Sequence, residues 1–359
     1  MLANTDRVRR AAVLSVVAMA FIAVAGPSTA APATASATTA CVVTDDHMIG
    51  LSGLIVTRTG YVAISDSNTD KRAIRVWLLD RHCHLARSIS YPTAAYDPED
   101  AAVGRDGTIY VADIGDNGGR RSSIGLWRIA PGSTRPHLYR YRYPDHGHDA
   151  EALLLAADDS PIFVTKQPGV SHLFVPTGPP DPSGRPVALR DVGTFTPTVT
   201  GTINGLGIAG NLLVTGGANA PDRTSVALRT YSDGYVWDIP DGDVVEAITT
   251  ASPRIVALPN EPQGESVAFD PTGTRLFTVS DRESTPVRTP MLQYDVPHAG
   301  GASPTPVPPA APTAADSSSA VTPPSGRASF PYQLIAVGIA VLAVAAVAVR
   351  GARRRRRGP

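Results

Sequence analysis

The chain has 359 residues, long enough for two or three domains or for one large all-β ring. Its formal charge is zero, yet the first 30 residues hold three Arg and one Asp and the last ten hold six Arg and no acid. Positions 31–349 therefore keep 23 basic and 31 acidic residues, a net charge near −8. An anionic body lacks the concentrated basic face that nucleic acid requires. With 32 Gly and 33 Pro, long helices are excluded outside the termini, and 43% hydrophobic residues exclude wholesale disorder.

Residues 1–30 read as a secretory signal. Arg7, Arg9 and Arg10 form a positive start, Ala11–Ala25 is an uncharged apolar run, and Ser28-Thr29-Ala30 is a small-x-small cleavage site. An uncleaved N-terminal anchor is the alternative. Cys41 and Cys83 are the chain's two cysteines, too few for a four-Cys zinc site or a disulfide-dense scaffold. For a body outside the membrane they most simply form one disulfide, pinning the incoming chain to the first repeat. Two free thiols, or a metal shared with His82 and His84, are the other readings.

A repeat occupies 42–296. Each unit opens with an apolar run, turns, and continues in a second run that ends in polar residues. Ser52 leads through Thr59-Gly60 to Tyr61–Asp66, and Glu99 leads through Asp106-Gly107 to Ile109–Asp113. Glu151 leads through Asp159-Ser160 to Ile162–Lys166, and Glu265 through Thr272-Gly273 to Leu276–Asp281. A degenerate unit starts near Thr215 and passes Pro221-Asp222 to reach Val226–Tyr231. Gly-containing turns between β-rich runs are hairpins. Further strands are predicted at Arg75–Leu79, Gly125–Ile129, His172–Val175, Tyr235–Ile239 and Leu292–Val296.

The opening residues stand 47, 52, 64 and 50 positions apart. That period, with β character throughout, predicts an all-β fold: a β-propeller of five or six blades in an ectodomain spanning 41–296. The long interval leaves room for a strand pair at Val199–Ile203 and Leu212–Val214, a reduced sixth blade or an insertion. A β-sandwich is the alternative fold.

Pro297–Ser329 contains eight prolines among Ala, Ser and Thr and reads as an extended stalk. Phe330–Val349 is uncharged over a length that spans the ~30 Å hydrocarbon core, so one C-terminal transmembrane helix is expected. Arg350 and Arg353–Arg357 place residues 350–359 in the cytoplasm. The expected topology is type I and single-pass, in the cell membrane with the propeller outside.

The segments SGLIV and SDSN, DPEDAAVGRDGTIYVADIGDN, HDAEALL, VALRTYSDGYVW and PQGESVAFDPTGTRLFTVSD resemble a bacterial family of secreted, membrane-anchored β-propellers. More distantly the chain is similar to phytase-like and lactonase-like propellers. The resemblance covers most of 48–283 and implies a propeller whose acidic channel residues hold calcium; it breaks down over 199–217.

The first strand of a propeller blade lines the central channel, so Glu99, Glu151 and Glu265 should converge on the axis. Asp66, Asp113 and Asp281 end the adjoining strands near the same rim. Crowded carboxylates need a counter-charge or raised pKa values. Either a hard cation such as Ca²⁺ bound by Glu99, Asp113, Glu151, Glu265 and Asp281 supplies the charge, or Lys166 and Arg229 do. Asp113–Gly119 reads as an oxygen-lined turn or a blade connection. His148, in Asp145-His146-Gly147-His148-Asp149, is expected on a channel-facing loop, bonded to a neighbouring carboxylate. Gly205–Gly210 matches G-x-G-x-x-G, but the residues after it read as a strand and not the helix a dinucleotide needs, so no nucleotide is expected.

No G-x-S-x-G or H-E-x-x-H occurs in the chain. Two functions remain open: a cell-surface module binding an extracellular ligand, or a calcium-dependent hydrolase of phosphoester or lactone bonds.

Overall fold

A computed structural model describes residues 37–66, 74–281 and 288–297. The expected signal, transmembrane segment, arginine tail and all of the stalk except Pro297 lie outside the described residues. No helix among the described residues is long and apolar enough to cross a membrane.

Among the described residues, twenty strands form five four-stranded units. The first comprises β2 (Leu51–Val56), β3 (Gly60–Ser65), β4 (Arg75–Asp80) and β5 (Leu85–Ser90). The second comprises β6 (Pro98–Val103), β7 (Ile109–Asp113), β8 (Ile124–Ile129) and β9 (His137–Arg142). The third comprises β10 (Ala150–Leu155), β11 (Pro161–Thr165), β12 (Ser171–Pro176) and β13 (Val187–Phe195). The fourth holds β14 (Val214–Asn219), β15 (Ser225–Thr230), β16 (Asp233–Asp238) and β17 (Arg254–Ala257). The last joins β18 (Gly264–Phe269), β19 (Arg275–Ser280) and β20 (Thr289–Asp295) to the N-terminal β1 (Thr38–Val43).

The innermost strands neighbour one another in a closed cycle, β2 to β6, β10, β14, β18 and back to β2. Apolar packing follows the same cycle. One cluster joins Ile55 and Val62 to Val111 and Trp127, and the next joins Ala112 and Ile124 to Leu153 and Phe163. The others join Leu154 and Val164 to Val226 and Trp237, Ala227 and Val236 to Val267 and Leu276, and Val279 and Met291 to Leu54 and Trp77. Each sheet therefore buries both faces, against one neighbour and then the other. A sandwich buries one face per sheet, so this all-β arrangement is propeller-like. Burial on both faces also explains why β2, β3, β10 and β11 are apolar almost throughout while β5 and β9 are largely exposed.

Ring closure is tied covalently. Cys41 on β1 is disulfide-bonded to Cys83 in the β4–β5 turn, linking the last sheet to the first across 42 residues of sequence. In the chain-entropy model a loop of that length is worth roughly 4 kcal/mol.

The sheet topology differs from expectation in the long interval. Val199–Ile203 is not a strand, and Leu212 and Leu213 precede β14; between them lies only a helical turn, α1 (Ile208–Asn211). Residues 196–213 make the crossing from outermost to innermost strand that 91–97, 143–149 and 258–263 make elsewhere. The extra length is an insertion in this connection, not a reduced blade. A second helix, α2 (Val244–Thr250), starts at Asp243, whose carboxylate accepts from Glu246 N, and packs on β13 and β16. β13 is long enough to pair in parallel with β9, merging the second and third units into one eight-stranded sheet.

Candidate functional site

Every innermost strand carries a bulge at the same place. The register slips between Leu51 and Leu54, Pro98 and Asp100, Ala150 and Ala152, Val214 and Gly216, and Gly264 and Ser266. A bulge leaves a residue out of the ladder and re-aims its side chain. Glu99, Glu151, Thr215 and Glu265 are the displaced residues, with Ser52 inside the wider first bulge. All five are buried. The repeat's opening residues are thus bulge residues, brought to one end of the ring.

The ladder partners of the bulge starts are Ser65, Asp113, Thr165, Thr230 and Ser280. The residues that follow them, Asp66, Ile114, Lys166, Tyr231 and Asp281, form a second tier at the same end. Asp113 stands one residue short of this tier. Successive strand residues point to opposite faces, and Asp113 accepts instead from the backbone N of Tyr96 and Asp97, at 3.0 Å each, and from Arg121 Nη2 at 3.0 Å. Trp127 Nε1, 3.3 Å away, completes this set of donors.

Lys166 is the cation of the axial cluster. Its Nζ donates to Glu151 Oε1 at 2.9 Å and lies 5.2 Å from the centre of the Tyr231 ring. Gln263 Nε2 donates to Glu265 Oε1 at 3.0 Å and lies 3.4 Å from Asp281 Oδ2. Ser52 Oγ donates to the Glu99 backbone carbonyl. Thr215 Oγ1 donates to Gly264 O at 2.8 Å, tying the fourth inner strand to the fifth.

Burial and crowding shift these groups. Glu99 is held well above the usual carboxyl range, first by desolvation and then by Glu151, Asp97 and Asp66, with Lys166 opposing. Glu151 and Glu265 are also raised by burial, and Lys166 is the largest influence pulling each back down. Desolvation works against the charge of Lys166, but Glu151, Glu265, Tyr231 and Glu99 outweigh it and hold the ammonium well above its ordinary value. Lys166 is thus bonded to Glu151 within a group of three carboxyls, all of which burial pushes upward. Glu265 Oε2 is buried and makes no hydrogen bond among the described residues.

Arg229 has a different partner. It occupies the ladder position that Ala112, Val164 and Val279 fill in other units. Its Nη1 donates to Glu261 Oε2 and to Ser266 O, both at 2.9 Å, and its Nε donates to Thr230 O at 2.9 Å. Thr278 Oγ1 and Tyr294 OH donate to the other Glu261 oxygen at 2.6 and 2.9 Å. Gly264 has no room for a Cβ, which would fall 1.9 Å from Arg229 Nη2. Sequence reasoning missed Glu261; its signal was a lone acid between prolines in Pro259-Asn260-Glu261-Pro262.

It also passed over Asp100, beside Glu99. This fully buried carboxylate accepts from Leu153 N at 2.8 Å and Gly217 N at 2.9 Å, joining the inner strands of the second, third and fourth units beneath the glutamates. It also accepts from Ala101 N. Burial raises its pKa well above the usual range, with these three N–H groups opposing the shift.

The resemblance to calcium-holding propellers can be tested on these residues. The donors are oxygens, as calcium prefers, but Lys166 competes for Glu151, Asp113 faces away, and Asp281 shares Gln263 with Glu265. The arrangement does not fit a calcium cage. Among the described residues, the set of acidic or histidine side chains whose donor atoms lie within 4.8 Å of one another is Asp145, His146 and His148. His148 is buried and its Nε2 lies 2.9 Å from Asp145 Oδ1, the carboxylate contact expected of it. The Asp113–Gly119 loop braces this segment: Asp116 accepts from Arg120 N and Arg121 N, and Asp116 N donates to Asp149 Oδ1. Gly205–Gly210 runs into α1, a single helical turn, before β14 begins.

No protein-family model matches the chain, and no curated protein sequence does. Among solved structures it is similar to the glutaminyl cyclase of Myxococcus xanthus, with a TM-score of 0.44 and 13% identity over 74% of this chain and 100% of that one. A gluconolactonase from Xanthomonas campestris gives a TM-score of 0.40 and 15% identity, over 73% of this chain and 90% of that one. A luciferin-regenerating enzyme gives 0.40 and 12%, over 68% and 77%. At these levels the likeness concerns the backbone alone, and the chemistry of the site rests on its own residues.

Proposed function

We propose that this chain is an extracellular binding module, a five-bladed propeller held at the cell membrane, and that its ligand enters at the ring end carrying Glu99, Glu151, Lys166, Tyr231 and Glu265. The observation that carries this reading is Lys166 bonded to Glu151 among two further buried carboxyls. Titratable groups shifted by burial together with a specific charge partner are candidates for a functional site. The cluster mixes an ammonium, carboxyls that resist ionisation, the Gln263 amide and one aromatic ring. Such a mixture of donors and acceptors around a ring suits a polyhydroxylated ligand, whose groups both give and take hydrogen bonds.

The second reading, hydrolysis of a phosphoester or lactone bond, draws on Glu99. Burial raises both Glu99 and its neighbour Glu151, and two adjacent carboxyls are the kind of acid–base set hydrolases use. The full-length protein, assayed on p-nitrophenyl phosphate and on a simple γ-lactone, with calcium and with chelator, separates the two. The binding reading expects no turnover above a Glu99→Gln/Glu151→Gln control, together with saturable binding to soluble polysaccharides that Lys166→Met abolishes. Turnover lost in that control would install the hydrolase reading instead.

The membrane topology rests on the apolar terminal segments and their flanking arginines, and the Cys41–Cys83 disulfide suits an oxidising compartment. Protease added to intact cells should remove the propeller and leave a small protected C-terminal fragment. Full protection of the propeller would reverse the assignment.

A further inference from the structure

The loop between β9 and β10 carries chemistry that the axial cluster does not use. We propose that Asp145, His146 and His148 form a binding site for a first-row divalent transition metal, with zinc the best match to the donor set. Two imidazoles and a carboxylate are the ligands such metals take, whereas calcium takes oxygens.

The donor atoms lie within 4.8 Å of one another, close enough for side-chain adjustment to bring them to one ion. His146 Nδ1 lies 2.8 Å from the carbonyl of Gly147. A carbonyl only accepts, so Nδ1 carries a hydrogen, and in the neutral ring Nε2 keeps its lone pair. That lone pair faces Asp145 Oδ2 at 3.4 Å. A nitrogen placed against a carboxylate in this way takes either a second ring proton or a metal ion. A backbone carbonyl on the far nitrogen is also the usual way a protein orients a metal-binding imidazole.

His148 supplies the second nitrogen. Its ring is fixed against Tyr143 and Phe174, with centroids 4.8 and 5.0 Å away, and lies 4.4 Å from the ring of His146. Its Nε2 meets Asp145 Oδ1 at 2.9 Å, and its Nδ1 lies 3.4 Å from the side-chain amide of Gln167. When a metal takes Nε2, the ring proton moves to Nδ1, and the Gln167 amide, turned about its terminal bond, offers its oxygen there.

The backbone under the ligands is equally constrained. A Cβ at Gly147 would fall 2.5 Å from Asp116 Oδ2 and 2.8 Å from the carbonyl carbon of Gly119, so the turn between the histidines accepts only glycine. Asp145 and His146 are half or more exposed. Three protein donors therefore leave one position of a tetrahedral ion open to water or to an oxygen of a ligand.

The test is cobalt and zinc titration of the chelator-treated full-length protein. Visible d–d absorption should appear at one equivalent of Co²⁺ and disappear as Zn²⁺ displaces it. His146→Ala removes an exposed side chain and should leave the melting curve intact while weakening both metals at least tenfold. Gln167→Leu should weaken them by ~10-fold as a positioning residue. His84→Ala, in the separate Asp80-His82-His84 turn, should change nothing. Absence of the cobalt spectrum in the wild type, or equal affinity in His146→Ala, would overturn the proposal and leave these contacts as a carboxylate bracing two imidazoles.

Discussion

Two buried clusters of charge lie near the same end of the ring, and they are built differently. The Arg229–Glu261 pair has no exposed side-chain surface, and both Glu261 oxygens are taken. The Lys166 cluster sets one ammonium against three carboxyls, leaves Glu265 Oε2 without a hydrogen bond among the described residues, and pushes all three glutamates upward. The Glu261 carboxylate is fully bonded within the fold, while Arg229 Nη2 has no hydrogen-bond partner among the described residues. The Lys166 cluster differs in its three upward-shifted carboxyls around one ammonium, and it is there that the proposed ligand would complete the bonding.

The largest effect should follow from breaking the Arg229–Glu261 pair. Arg229→Met strands the Glu261 carboxylate and should cost about 3–5 kcal/mol in urea unfolding, whereas Arg229→Met/Glu261→Leu should recover most of it. Failure of the double variant to recover would mean that the pair does more than satisfy its own burial.

Asp100 sharpens the contrast, since it lies beneath the glutamates yet is bonded like the structural pair. Asp100→Asn puts an NH₂ group where backbone N–H groups need an acceptor, and about 1–3 kcal/mol should be lost. A neutral result would move Asp100 into the functional cluster.

Glu99→Gln should act in the opposite direction, raising stability at neutral pH because the amide never ionises. Its signature is in the pH profile. The folded pKa of Glu99 is raised above its ordinary 4.5, so its contribution is full below pH 4.5 and fades as pH climbs toward the raised value. Stability should decline over that window in the wild type, and Glu99→Gln should flatten the slope. An unchanged slope would place the titration elsewhere.

The contrast also shows what the sequence could convey. The five-fold repeat was legible because hairpin turns recur at fixed distances after each opening residue. The convergence of Glu99, Glu151 and Glu265 followed from equivalence between units. Partnerships were not legible. Asp113 and Asp66 both end a strand run, but the ladder places Asp113 one residue early, and a period of two then turns it to the other face. Arg229 reads as a strand-end cation until the register puts it two residues before Tyr231, at a position apolar in other units. That single charge within Ser225-Val-Ala-Leu-Arg229 was the available sign of a buried pair. Nothing in the spacing pointed to Glu261, because its loop is fixed by tertiary contact alone.

The central claim is that Lys166, and not a metal ion, supplies the positive charge among the axial glutamates. Thermal melting of metal-free full-length protein, wild type and Glu151→Gln, with and without added calcium, tests it most directly. The account predicts a wild-type melting temperature that calcium leaves unmoved, and a Glu151→Gln loss of the same size in both conditions, because the variant strands Lys166. A wild-type melting temperature that rises with calcium, with the rise abolished by Glu151→Gln, would contradict it.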